Sequence, residues 1–576
     1  MILLLVIPAT LSLVLSLVCE RLLQPLPAPM RQRSAATLGI HIGSWLVLYA
    51  LALLVLQRGW LSAGLLNVLH LVLIQSCRSK WSSLKEPFLV QDFEYFLDAI
   101  RHPRLYVPFF GLGLAIAAST SGAAAFLAFL WWEPSLMTVE GVSSWLLSVA
   151  NIAAAGVLLL GVSLARRPSI CLHPEDDLYR HGLISYFWAY GLHPTAPIDP
   201  TLVPECFRLP QLSSTPASAS ASASATATAT PAALPHIVIV QSEAFFDPRE
   251  WQTGLPRELM PNWDSMKRQG IASGPLTVPV WGANTVRSEA AFLTGIDNAA
   301  LGMHRFTPYR PLAKQPLPSL VSALKQIGYR CVTVHPYPAS FYDRARVMPV
   351  LGFDEFIDIK DFDASDRDGQ YISDSAVARK VHALLEQSTE EPLMVFAITM
   401  ENHGPLHLEA AASEWRDRLP HDTEQQLASQ DADMLAVYLR HLHNADSMLG
   451  ELRHSLNAQA RHGLLCWYGD HVPIMEGAYA TLGEPSGETQ YLLWSTLAAS
   501  DPIAVSDPIA AFDPVAAFDQ VAACDPVEAR TTPMNIAGLA ERLWQDLARF
   551  QPLREQTERR AAYGTPQQGN ELQEQQ

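Results

Sequence analysis

The chain has 576 residues, is 49% hydrophobic and carries a formal net charge of −17. That length exceeds one ordinary domain, and an acidic balance without a basic stripe excludes nucleic acid as a partner. Cysteines 19, 77, 171, 206, 331, 466 and 524 are dispersed with no Cys-x-x-Cys pair, which argues against a zinc ribbon or a disulfide framework.

Residues 1–166 hold apolar stretches near the ~20 residues that a membrane-spanning helix needs. Spans are expected at 2–18, 37–56, 60–76, 107–131 and 143–165. The first lacks a basic leader and a small-residue cleavage site before Cys19, so it reads as a retained membrane helix. Between the third and fourth spans, apolar positions 88, 89, 93, 96, 97 and 100 follow helical spacing. They predict an amphipathic helix that lies on the membrane or packs against the bundle.

Residues 167–235 read as a linker. Its run from Pro216 to Pro231 alternates Ala with Ser or Thr, which buries almost nothing and suits a tether. Residues 236–548 alternate short apolar runs with helical patterns. Strands are expected at 236–241, 330–335, 393–399, 464–468 and near 490–494, and helices at 285–294, 317–327, 373–386, 430–455 and 534–548. Such alternation predicts an α/β domain with a mostly parallel sheet covered on both faces. Within it, 501–527 repeats Asp-Pro-Ile/Val-Ala with a period of six. Recurrent proline forbids a regular helix or central strand, so the repeat reads as a surface loop. Residues 549–576 form a glutamine-rich tail.

The chemistry-bearing residues sit where strands should end. Glu243 follows the run from His236 to Ser242, and Asp470-His471 follows Leu464-Leu-Cys-Trp-Tyr-Gly469. Two carboxylates and an imidazole suit a divalent metal. Gly469 is expected to permit the sharp exit that aims both side chains at one point. Thr285, after Gly282 and Asn284, opens a predicted helix that stops at Gly295. It reads either as an N-cap boxed by Ser288 or Glu289, or as a nucleophile where helix N–H groups attract phosphate. A metal beside it would lower the hydroxyl pKa. His335, Arg344 and His403 also fall just past strand ends, and Arg344 can grip a phosphate bidentately. His441 and His443, inside the helix at 430–455, read as structural.

Together these residues resemble the lipoteichoic acid synthase and phosphoglycerol transferase family, in the sulfatase-like branch of the alkaline phosphatase superfamily. The resemblance covers roughly 236–545 and implies an N-terminal transmembrane bundle followed by a sulfatase-like (alkaline phosphatase-like) domain. It implies a metal held by Glu243, Thr285, Asp470 and His471, manganese in the family, with zinc or magnesium left open. Thr285 would be the nucleophile. The family's Phe-Trp-Asn-Arg stretch is similar to Phe341-Tyr342-Asp343-Arg344, and its Asn-His-x-Pro-like turn to Asn402-His403-Gly404-Pro405. His335, Tyr342, Arg344 and His403 are then the expected substrate-binding residues. Tyr342 and Asp343 depart from that pattern, which bears on substrate identity. A sulfatase nucleophile would show Cys or Ser, any residue, Pro, any residue, Arg, and Thr285-Val-Arg287-Ser-Glu289 lacks it.

The expected activity is transfer of phosphoglycerol from phosphatidylglycerol to a glycan or glycolipid through a phospho-threonine. Phosphoethanolamine transfer and a non-catalytic glycan- or lipid-binding module remain the alternatives. The resemblance places the chain in the bacterial inner membrane with its catalytic domain on the extracytoplasmic side. Basic residues in the first loop (Arg21, Arg31, Arg33) and the third (Arg78, Lys80, Lys85, Arg101, Arg104) oppose that orientation by the positive-inside tendency.

Overall fold

A computed structural model describes residues 2–94, 101, 112–166, 168–208, 234–497, 532–547 and 550. The Ala/Ser/Thr run, the six-residue repeat, most of the predicted amphipathic helix after Glu94 and nearly all of the tail lie outside these residues.

In the N-terminal region, helices α1 (Ile7–Cys19), α2 (Ala35–Leu56), α3 (Gly59–Leu84), α4 (Leu112–Trp132) and α5 (Val142–Ala165) follow the predicted spans. Among the described residues, Leu4–Leu22, α2, α3 and α5 are long and apolar enough to cross a membrane. The third span runs to Leu84, eight residues beyond the predicted end, and its polar final turns bond to protein through Lys80 with Glu86 and Asp92 and Ser82 with Glu476. Within the stretch read as linker, α6 (Pro174–Gly191) packs on the bundle. Glu20, at the end of the first span, is buried against Arg33 and accepts the Leu183 N–H at 2.9 Å. A buried carboxylate is retained when paired and hydrogen-bonded in this way. Further along the same stretch, Ile198, Val203 and Phe207 join the core of the C-terminal domain.

That domain is built on one sheet of eight strands: β1 (His236–Ser242), β2 (Ala272–Thr277), β3 (Arg330–Val334), β4 (Glu355–Ile357), β5 (Leu393–Ile398), β6 (Gly463–Gly469), β7 (Thr489–Ser495) and β8 (Met534–Asn535). Their order is β8-β2-β7-β6-β1-β5-β3-β4, and only β7 runs antiparallel to its neighbours. β2, β4 and β8 are not apparent in the sequence, and β8 takes the first two residues of the helix expected at 534–548. β2 is Ala-Ser-Gly-Pro-Leu-Thr, a poor strand former that is held by pairing with β7.

Period-two alternation distributes the strand side chains between two cores. Val238 and Val240 face one that contains α10 (Asp374–Gln387) and α11 (Ser429–Asn457), with Val381, Leu435, Leu442 and Leu449. Ile237 and Ile239 face the other, which contains α7 (Thr285–Thr294), α8 (Leu320–Gln326) and α12 (Ile536–Leu547). Burial on both faces is why these strands read as unbroken apolar runs.

The central register matters most. β1 and β6 pair in parallel from His236↔Gly463 to Ser242↔Gly469, so both strands end at one level. A Cβ on Gly469 would stand 1.8 Å from the Phe245 carbonyl oxygen. Glycine is required there by close backbone approach, and not by the turn conformation that the sequence suggests. Gly469→Ala is expected to destabilise the chain by about 3 kcal/mol or more, seen as a lower melting temperature in detergent.

Candidate active site

At the common end of β1 and β6, Glu243, Asp470 and His471 each offer one ligand atom, and the three atoms lie within 4.8 Å of one another. All three residues are buried. Their backbone explains the convergence. Ala244, at φ 51°, folds back so that its N–H donates to Asp470 Oδ1 at 2.9 Å, and the Glu243 N–H donates to Thr399 Oγ1 at 2.9 Å. His471 donates Nδ1–H to the Val472 carbonyl at 3.0 Å. This fixes the tautomer and leaves the Nε2 lone pair 3.5 Å from Glu243 Oε1 and 3.4 Å from Asp470 Oδ2.

Burial and the neighbouring Asp470 push the Glu243 carboxyl well above its ordinary range, with Arg344 pulling it back. Burial also raises Asp470, against the pull of His471, the Ala244 N–H and the Thr285 hydroxyl. Asp470 Oδ2 is buried and accepts no hydrogen bond. Two crowded carboxylates, an orphaned oxygen and an imidazole lone pair are a donor set that a divalent cation satisfies. The residues fit the expected metal.

Thr285 is the first residue of α7, and its hydroxyl acts on the Asp470 carboxyl. It is not a cap. Asn284 precedes it in left-handed conformation (φ 66°) without a side-chain cap bond. Neither predicted box partner serves the helix end. Ser288 Oγ donates to the Asp470 carbonyl at 2.9 Å, and Glu289 turns to Arg344. Thr285 therefore stands where helix N–H groups and the carboxylate cluster meet.

Arg344 opens α9 (Arg344–Leu351) and is buried. Its Nε donates to Glu289 Oε2 at 3.1 Å, its Nη2 makes a short bond to Glu289 Oε1, and its Nη1 donates to His335 Nε2 at 3.2 Å. Burial disfavours the guanidinium charge, but Glu289 more than offsets this and raises its pKa. Three of five N–H donors are thus used, and two remain for an anion. Tyr342 and Asp343 both adopt left-handed backbone (φ 54° and 58°), and the Tyr342 ring lies 5.3 Å from the guanidinium. Consecutive non-glycine residues in that region cost free energy; here they swing Arg344 inward.

His335 donates Nδ1–H to the Ile398 carbonyl at 3.1 Å, which fixes the ring, and its Nε2 accepts from Arg344. His403 donates Nδ1–H to the Gly404 carbonyl at 2.6 Å, which leaves its Nε2 as acceptor. Burial lowers His403 to about 4, with His471 and Arg344 adding to the effect, so the ring is neutral at physiological pH.

The sequence reading missed Glu289, Tyr309 and Thr399 as site residues. Tyr309 donates to Glu289 Oε2 at 2.5 Å, completing a buried clamp around Arg344. The available signal was an acid amid Val286, Ala290 and Phe292, positions that helical spacing marks as core. His441 is structural, as read, but it is a buried ion pair: it contacts Glu401 at 2.9 Å and Glu409 at 3.0 Å. These carboxylates bracket the His403 turn.

Residues 235–514 match the sulfatase family model. The C-terminal region is a sulfatase-like α/β domain with a mostly parallel sheet, preceded by apolar helices long enough to cross a membrane. The chain is 25% identical over 427 residues to the capsular polysaccharide biosynthesis protein RkpI of Rhizobium meliloti, covering 72% of this chain and 73% of that protein. It is 28% identical over 256 residues to a putative cyclic beta-1,2-glucan modification protein of the same organism, covering 44% of this chain but 38% of that protein. The phosphoglycerol transferase GacH of Streptococcus pyogenes aligns with a TM-score of 0.38 at 20% identity, over 46% of this chain and 68% of that one. The lipoteichoic acid synthase LtaP of Listeria monocytogenes aligns with a TM-score of 0.36 at 22% identity, over 46% and 67%.

Chelation is expected to lower the melting temperature and Mn2+, Zn2+ or Mg2+ to restore it, by about 2.7 kcal/mol at a hundredfold excess over Kd. Glu243→Gln should abolish that response in a thermal-shift titration. A separate expectation concerns pH. Burial opposes the His441 charge, but Glu401 and Glu409 raise its pKa to about 9. Since the folded value exceeds the unfolded one near 6.5, its stabilisation is complete below that pH and lost as pH rises through about 9. The linkage is worth roughly 3 kcal/mol, and His441→Gln should flatten this part of the stability–pH curve.

Proposed function

We propose that the protein is a membrane-anchored, metal-dependent transferase that moves a phosphoglycerol headgroup from phosphatidylglycerol to a glycan or glycolipid. The observation that carries this reading is the convergence of Glu243, Asp470 and His471 beside the hydroxyl of Thr285 at a helix N-terminus. The relatives named for capsular polysaccharide biosynthesis and cyclic glucan modification support a glycan acceptor.

Glu243, Thr285, Asp470 and His471 would hold the cation, manganese by resemblance, and it would supply Lewis-acid stabilisation of charge on the phosphoryl oxygens. The chain's own residues do the rest. The Thr285 oxygen bonds to phosphorus as the bond from phosphorus to the diacylglycerol oxygen breaks, and the threonine proton ends on the departing alcohol. An acceptor hydroxyl then attacks the same phosphorus, and its proton returns to Thr285. Arg344, held by Glu289 and His335, presents its two remaining N–H donors to the phosphoryl oxygens. His403 would help to orient the transferred group, and Tyr342 shapes the wall beside Arg344.

In this reading the membrane is bacterial and inner, with the catalytic domain on the extracytoplasmic face. The basic residues that opposed this orientation are partly engaged in structure: Arg33 with Glu20, Lys80 with Glu86 and Asp92, and Lys85 with Glu484.

Thr285→Ala should reduce transfer at least ~10³-fold, measured as glycerol label passing from headgroup-labelled phosphatidylglycerol to cyclic β-1,2-glucan. Undiminished transfer by that variant would refute the nucleophile. Preferential transfer of label from phosphatidylethanolamine would instead assign a phosphoethanolamine transferase.

A further inference from the structure

The nucleophile helix is tied to the membrane bundle by a buried chain of charges. Arg287, in the first turn of α7, makes a bidentate pair with Glu86, just past the end of α3: Nη1 to Oε1 at 2.9 Å and Nη2 to Oε2 at 3.0 Å. Lys80, on the last turns of α3, contacts the same Glu86 at 2.7 Å and Asp92 at 2.6 Å. Asp92 in turn accepts the Leu89 N–H at 2.7 Å. The side chains of Arg287, Glu86, Lys80 and Asp92 are 5%, 16%, 10% and 8% exposed, so water screens the chain little.

Around it the two regions touch closely. A Cβ on Gly282 (φ 71°) would stand 2.6 Å from the Ser83 carbonyl oxygen. Ser82 Oγ donates to Glu476 at 3.0 Å, and Lys85 pairs with Glu484. A cavity of about 450 Å3 opens between the end of α3, the start of α6 and the loop leading into α7; Lys85, Glu86, Trp281, Asn284, Arg287 and Glu488 help to line it. Asn284 and Arg287, which flank Thr285 at the start of α7, both line this cavity, so it borders the helix end that carries the nucleophile.

We propose that Arg287, locked to Glu86, is a positioning residue that holds the start of α7, and Thr285 with it, at a fixed place relative to the membrane bundle, so that the protein favours a phosphodiester presented by a bilayer lipid and discriminates against the same chemical group free in water. This rests on the transferase reading above and adds the physical state of the donor. A planar fork gripping both carboxylate oxygens fixes orientation as well as distance, which a lysine at this position would not do. Because small displacements of a reacting group cost large rate factors, loosening the fork should affect most the substrate whose own position is fixed by the bilayer. A small diester that tumbles freely can follow the nucleophile.

The test uses the full chain reconstituted in phosphatidylglycerol vesicles, with bis(p-nitrophenyl) phosphate as the water-soluble probe. Arg287→Met and Glu86→Gln are each expected to cut headgroup release from the vesicle lipid at least tenfold, while hydrolysis of the soluble diester changes less than threefold. Arg287→Lys, which keeps the charge without the fork, should leave most of the lipid defect in place. If lipid and soluble activities fall together, or neither falls, or Arg287→Lys restores full lipid activity, Arg287 is not a positioning residue. If the wild type cleaves neither substrate, or Thr285→Ala retains both activities, the transferase reading fails instead.

Discussion

The site depends on the parallel registry of two adjacent strands. β1 and β6 are separated by more than two hundred residues, yet Ser242 pairs with Gly469. The next residues of each strand, Glu243 and Asp470, therefore leave the sheet side by side. Any one-residue slip of this pair would send alternate side chains into the wrong core, because Val238 and Ile239 belong to different clusters. Hydrophobic sorting across the sheet thus sets, at no separate cost, the spacing of two carboxylates that repel each other.

That repulsion is tolerated because the surroundings are rigid. The Ala244 N–H donates to Asp470, the Glu243 N–H is held by the Thr399 hydroxyl, and an imidazole with a fixed tautomer faces both acids. A second buried pair, Glu289 and Arg344, is set by Tyr309, Gln241 and His335. The arginine is oriented by a carboxylate partner, so its charge is part of a network rather than an isolated cation. Buried polar networks of this kind are costly when incomplete and stiff when complete, which suits a site that must aim a hydroxyl at phosphorus.

The membrane region is more than a tether. α6 packs on the bundle, Phe306 and Met303 of the C-terminal domain join a cluster with Tyr186 and Tyr190 of α6, and the charge chain from Lys80 to Arg287 crosses the junction. The segment from Ile198 to Phe207 then enters the sheet domain's core. The two regions are joined by packing and ion pairs as well as by chain.

Periodicity and length by themselves determined much: the membrane helices, a sheet covered on both faces, α7 at its observed bounds, and Glu243, Thr285, Asp470 and His471 as residues at element ends. These follow from local pattern, since an apolar run that stops at an acid is a strand end wherever the strand lies. Tertiary structure alone decided what pairs with what. It placed Glu289 on Arg344 instead of on the end of its own helix, made His335 an orienting group, gave Gly469 its reason in the Phe245 carbonyl, and set Arg287 on Glu86. Each of these is a contact between segments distant in the chain, and one sequence carries no record of which distant partner a buried charge will meet.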